Sequence, residues 1–214
     1  MKYLYTTDLE EPVVFPEKAL EEMKKVPGVV FTTGKYCEYA RPLLDIGWAI
    51  QVHTHPRFFG YEHDKLKHIS DVGVLKSIIE ADRTAVEKTL NVKTTCFRAG
   101  KLSMNPIVEE AVRKLGFLAD SSRLVPHVFR LTPYWEPYMH NGLLEIPIVH
   151  CLDREDKDIN FNLKRIWIGL TASAPVVCLL HHPKRVIERP SVVSWLSRLG
   201  TFISIDQVIE EYRC

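Results

Sequence analysis

The chain has 214 residues, 46% of them hydrophobic, which is enough for one sizeable core and ordinary for a globular protein. Its 28 basic and 27 acidic side chains leave a net charge of +1 with no long basic run, which argues against nucleic acid as the main partner. Five cysteines (Cys37, Cys96, Cys151, Cys178, Cys214) are scattered, odd in number and free of any C-x-x-C pair. Neither a disulfide framework nor a cysteine zinc site is expected from them. The opening "MKYLYTT" is too short and polar for a signal peptide, and no apolar run reaches membrane-spanning length. The expectation is a cytoplasmic protein with no membrane partner.

In chain order, "KYLYTT" reads as a strand, and "PEKALEEMKK" as a short helix with Pro16 near its first turn. "GVVFTTG" is a second strand, and "YCEYARPLLDIG" holds a shorter, broken helix. "WAIQVHTH" is a strand that Pro56 ends, because proline cannot continue a central ladder. Residues 70–90 carry apolar side chains at helical spacing and form the clearest amphipathic helix. "TTCFRAG" is a strand, "NPIVEEAVRKLG" a helix capped by Asn105 and stopped by Gly116, and "FLADSS" a strand. "LLEIPIV" follows as a strand, "FNLKRIWIGLTAS" as a helix, "PVVCLLHH" as a buried strand and "SVVSWLSRLG" as a helix. "TFISI" and "DQVIEEY" close the chain.

Alternating strands and helices imply βα units and a parallel sheet. About seven or eight strands over this length suit a distorted (β/α) barrel better than a doubly wound sheet. No glycine-rich phosphate loop follows the first strand. With no linker or composition shift, residues 1–214 read as a single domain.

In such barrels functional groups gather where strands end. The proposed strand ends supply Asp8 and Glu10, His53 and His55, Arg98, Asp120, and His181 with His182. In "VHTHPRF" the two imidazoles stand at i and i+2, so an extended strand sends both to one side. Each group alone has a plainer reading: a helix cap, a solvated histidine pair, a surface ion pair. Unrelated caps, however, have no reason to choose metal-ligand and acid/base types at successive strand ends.

"YTTDLEEP", "QVHTHPRF", "FRAGKLSMNPIVEEAVRKLGFLADSS", "LLEIPI" and "LLHHPKRV" together resemble, in order, the motifs of the polysaccharide deacetylases, the NodB-homology group. That resemblance runs through the closing "GTFISIDQVIEEY" and is most specific over residues 97–122. It implies a distorted TIM-like barrel, a divalent metal, and hydrolysis of an N-acyl bond, usually the acetamide of an amino sugar. Carried over by position, Asp8 resembles the general base, Glu10 a metal carboxylate, and His53 the first metal histidine. Arg98 matches the arginine that holds the base, and His182 the late-strand acid, with His181 as its neighbour and alternative. One departure stands out. The family's second histidine falls four residues after the first, where this chain has Arg57; His55 is the nearest substitute and His63 the reserve.

Two imidazoles and a carboxylate leave an open position on a catalytic ion, for which zinc is the default and cobalt, nickel or iron are chemically acceptable. Tyr134 and Trp135, in a loop rich in aromatics and proline, are candidates for packing on a sugar ring or merely for packing the loop. The leading expectation is a metal-dependent deacetylase acting on an amino sugar or small glycoconjugate. The alternatives are an allantoinase-like hydrolase of cyclic amides, and a catalytically weak binding protein that keeps the barrel.

Overall fold

The computed structural model describes residues 2–125, 136–152 and 176–213. Its strands are β1 (Lys2–Leu9), β2 (Gly28–Thr32), β3 (Ala49–Thr54), β4 (Cys96–Ala99), β5 (Ala119–Asp120), β6 (Tyr138–His140), β7 (Leu143–Glu145), β8 (Ile148–Cys151), β9 (Val176–Leu180) and β10 (Thr201–Phe202). They pair in the order β6-β7-β5-β4-β3-β2-β1-β9-β8, with β10 beside the start of β1. Every pairing is parallel except the β6–β7 hairpin.

Only Ile146 and Pro147 separate β7 from β8, yet β7 pairs with β5 and β8 with β9. The strand read as "LLEIPIV" is therefore broken near its proline and serves both ends of the curled sheet. Proline cannot donate to a ladder, so a break there costs no hydrogen bond. A single parallel bridge from Leu124 to Ile148 ties the chain beyond β5 to β8 as well. The architecture is the distorted parallel barrel expected from the sequence.

Alternation along each strand sorts side chains into inner and outer layers. Leu4, Phe31, Cys96, Leu144, Ile148 and Cys178 pack inside the curl, and Ile205, Val208 and Ile209 of the last helix join them. That helix (Ile205–Tyr212) begins with a full capping box between Ser204 and Gln207. Outside, α1 (Glu17–Met23), α2 (Arg41–Asp45) and a helix at Ser191–Leu196 cover Tyr3, Tyr5, Val30 and Ile50. On the other flank, α3 (Val72–Leu90) and α4 (Pro106–Lys114) cover Val52, Phe97 and Ala99. Asp71 and Asn105 cap these two helices by accepting from Val74 N–H and Val108 N–H.

The structure sharpens the sequence reading at two elements and does not describe a third. The broken helix at 36–47 is a 3-10 turn (Cys37–Ala40) running into α2. A short helix at Pro183–Glu188, unread in the sequence, starts directly after the second histidine of "LLHH". The expected helix "FNLKRIWIGLTAS" lies outside the described residues.

Candidate active site

The C-terminal ends of β1, β3, β4 and β9 meet at one mouth, because parallel strands all end on the same side. A cavity of about 250 Å³ opens there, lined by Asp8, Glu10, His53, Lys101 and His182 among others. Residues 174 positions apart in sequence therefore share one wall.

Asp8 and Arg98 form the buried foundation. Arg98 Nη1 donates to Asp8 Oδ1 at 2.6 Å, and neither side chain is more than 5% exposed. Arg98 also donates from Nε to Ser121 O at 2.9 Å, from Nη2 to Ser121 Oγ at 2.8 Å, and from Nη1 to Thr6 Oγ1 at 3.1 Å. Its guanidinium carbon sits 3.9 Å from the centre of the Phe31 ring. A buried charge is tolerated when it is paired and its donors are used in this way. Burial alone would push Asp8 up, but the charges of Arg98, His53 and His182 outweigh it and hold the carboxyl below its usual range. Asp8 is thus an ionised carboxylate held in a fixed position facing the cavity.

Glu10, His53 and His55 are the one group among the described residues whose donor atoms are close enough to share a metal ion. His55 Nε2 lies 2.5 Å from Glu10 Oε2 and 3.0 Å from His53 Nε2, and His53 Nε2 is 3.8 Å from the same oxygen. The remaining ring nitrogens are occupied: His53 Nδ1 meets Arg98 O at 3.0 Å, and His55 Nδ1 meets Asp64 Oδ1 at 2.6 Å. Donation from Nδ1 in both rings leaves both Nε2 lone pairs pointing into the same space. Two lone pairs and a carboxylate aimed together repel unless a cation lies between them, so the donor set fits a divalent ion. The backbone partner of His53 and the carboxylate partner of His55 are the outer contacts metal-bound histidines use.

The approach is tight. A Cβ on Gly100 would sit 2.7 Å from the His55 ring, so only glycine lets the start of this loop pass.

The remaining candidates divide clearly. His182 lines the cavity, whereas His181 turns to the outer layer, where its Nδ1 meets Tyr5 Oη at 2.9 Å. His63 is not part of the ligand group; its ring stacks edge-on to His68 at 5.1 Å. Arg57 is 41% exposed at the rim, with Nη1 3.2 Å from Asp64 Oδ2. Asp120 pairs in register with Phe97, an outer-layer residue, and so faces away from the cavity. There burial pushes it up although it accepts from Ser122, and Glu145, its register partner, is raised by burial and by the charge of Asp120. Tyr134 and Trp135 lie outside the described residues.

Asp64 and Lys101 were missed by sequence reasoning. Asp64 stands next to the reserve ligand His63 in "GYEHD", but nothing in that stretch says it folds back onto His55.

Residues 17–119 match the family model for polysaccharide deacetylase. No curated protein matches the sequence. Solved structures match over nearly the whole chain. A candidate polysaccharide deacetylase from Mycobacterium smegmatis superposes with a TM-score of 0.71 at 17% identity, covering 99% of this chain and 90% of the other. A family 4 acetyl xylan esterase from Clostridium thermocellum, in complex with a cobalt ion, gives 0.63 at 12% identity, covering 99% and 91%. A family 4 pseudoenzyme from Bacillus anthracis gives 0.65 at 15% identity, covering 99% and 66%. The family found by comparison is the one read from the motifs, and the shared fold extends well beyond the matched segment.

Proposed function

We propose that this relative of the polysaccharide deacetylases is a metal-dependent hydrolase that removes an N-acyl group, acetyl in the first instance, from an amino sugar or a small glycoconjugate. The observation that carries the reading is the convergence of His53 Nε2, His55 Nε2 and Glu10, with Glu10 and His53 lining one cavity together with Asp8. Glu10, His53 and His55 would hold the ion, zinc by default. Cobalt is equally acceptable to imidazole and carboxylate donors, and cobalt is what the acetyl xylan esterase above contains. The chemistry such an ion supplies when bound is polarisation of the acyl carbonyl and acidification of a water.

The chain's own residues complete the reaction. Asp8, kept ionised by Arg98, takes a proton from the attacking water as it adds to the acyl carbon. Arg98 has its donors committed, so the base keeps its orientation through the cycle. His182, in its protonated form, gives a proton to the sugar nitrogen as the C–N bond breaks. The amine leaves neutral and the acyl group leaves as a carboxylic acid. Leu180 and Leu102 make part of the lining apolar, which strengthens these charge interactions.

A second reading has its own support. Arg57 occupies the position of the family's second histidine and cannot ligate a metal, because guanidinium stays protonated. A pseudoenzyme also stands among the structural relatives. In that reading the barrel binds a sugar without turning it over.

Metal content and hydrolysis of N-acetyl sugars by the purified protein decide between them. The deacetylase reading expects bound metal, turnover, and a loss of about 10²–10⁴-fold in Asp8→Asn with metal retained. Metal binding without turnover of any N-acyl sugar favours the binding protein. Absence of metal, or full activity in Asp8→Asn, overturns the mechanism.

A further inference from the structure

The peptide that joins Ser121 to Ser122 is gripped from both faces of the sheet. On the inner face its carbonyl, Ser121 O, accepts from Arg98 Nε at 2.9 Å. On the outer face its N–H, that of Ser122, donates to Asp120 Oδ2 at 3.0 Å. A trans peptide is planar and points its C=O and N–H in opposite directions, so whatever fixes one end aims the other. Asp120 Oδ1 also accepts from Ser122 Oγ, and Ser122 Oγ accepts in turn from Ala99 N–H at 2.8 Å.

Ser121 itself turns inward between these two outward residues, as alternation requires. Its Oγ accepts from Arg98 Nη2 and donates to Ile146 O at 2.9 Å. Two of the four hydrogen bonds that fix Arg98 therefore end on Ser121, and a third fixes Asp8. An aspartate two residues before a serine is the pattern of an Asx turn, which neutral asparagine also closes. Here Asp120 is fully buried beside a second buried acid, Glu145, its register partner. Burying a carboxylate in that company is costly, and a turn that needed only closing would avoid it.

We propose that Asp120 is a positioning residue for Asp8, acting from the far side of the sheet through the Ser121–Ser122 peptide and Arg98. The proposal rests on the deacetylase reading for the role of Asp8 as base, whereas the link from Asp120 to Arg98 stands without it. The carboxylate acts in two ways. It holds the peptide plane so that Ser121 O stays in line with Arg98 Nε. It also strengthens that carbonyl as an acceptor, because linked hydrogen bonds polarise one another.

The test reads Arg98 directly, by heteronuclear NMR of its Nε–H group in the whole chain, with the resonance assigned by its loss in Arg98→Lys. Asp120→Ala frees the peptide, so the resonance should move and its exchange with water should quicken by about tenfold or more. Asp120→Asn keeps an acceptor for Ser122 N–H without the charge, and the resonance should move the same way by less. In turnover of an N-acetyl sugar, Asp120→Ala should lower kcat by about 10–100-fold with KM and metal content kept, because a misplaced base costs rate and not binding. Glu145→Gln removes the neighbouring acid without touching Ser122, and should leave both the resonance and kcat as in the wild type. A purely structural role for Asp120 would lower stability and move neither. An Arg98 resonance unmoved in both Asp120 variants, or moved as far in Glu145→Gln as in Asp120→Ala, overturns the proposal. Wild-type protein that hydrolyses no N-acyl sugar would count instead against the deacetylase reading, and the resonance would still decide the link from Asp120 to Arg98.

Discussion

At the end of β3 the two histidines are two residues apart; at the end of β9 they are adjacent. His53 and His55 consequently leave the strand on the same side and bring their Nε2 atoms within 3.0 Å of each other. His181 and His182 leave on opposite sides, one to Tyr5 in the outer layer and one to the cavity. Side-chain alternation along an extended chain is the whole reason. An i, i+2 pair brings its rings together, and an i, i+1 pair sends one ring to the cavity and the other to the outer layer. The same alternation turns Asp8 inward to Arg98 and Asp120 outward to Glu145, so that one carboxyl is held below its usual range and the other two are raised.

The largest effect expected from this contrast is on metal. His53→Ala and His55→Ala should each lose stoichiometric metal, while His181→Ala and His182→Ala keep it, as read by elemental analysis of folded protein. Full metal in both β3 variants would end the parallel between spacing and ligation. Next in size is turnover. His182→Ala should lose about 10²–10⁴-fold as an acid would, whereas His181→Phe should keep most activity and instead lower stability by roughly 1–3 kcal/mol through the lost buried contact with Tyr5. Reversed phenotypes would mean that the outward ring is the acid.

A smaller effect is expected at Asp64. Asp64→Asn should weaken metal affinity about 10–100-fold, because the carboxylate fixes which nitrogen of His55 is protonated. Unchanged affinity would show that His55 is oriented by Gly100 and packing alone.

The smallest effect concerns the outward side of β3. Asp82 on α3 is 2% exposed and accepts from Gly34 N–H at 2.7 Å; burial pushes it up to about 7 despite that bond and the nearby Thr54. Its folded form therefore holds a proton that the unfolded chain releases near pH 4. The cost to folding is absent at pH 3, grows between pH 4 and 7, and is constant above. Asp82→Asn should leave stability nearly unchanged at pH 4 and raise it by roughly 1–3 kcal/mol at pH 8. Equal shifts at both pH values, measured by denaturant unfolding, would remove the buried proton from the account.

Much of this was legible in the residues themselves. Alternating helical and strand periods specify βα units, and the residues at their ends specify which side chains reach the mouth, because both follow from local backbone geometry. That is why Asp8, Glu10, His53, His55, Arg98 and His182 could be named from spacing and motif resemblance before any contact was known. Tertiary structure decided what depends on where separate segments meet. It brought Asp64 from a loop onto His55, set Lys101 against Glu10, broke one strand at Pro147 to serve both ends of the sheet, and chose His182 over His181 for the cavity. None of these has a local signature. A loop's path is set by what it packs on, and two adjacent histidines are equivalent in sequence until the sheet assigns one face to the barrel's interior and the other to the helices.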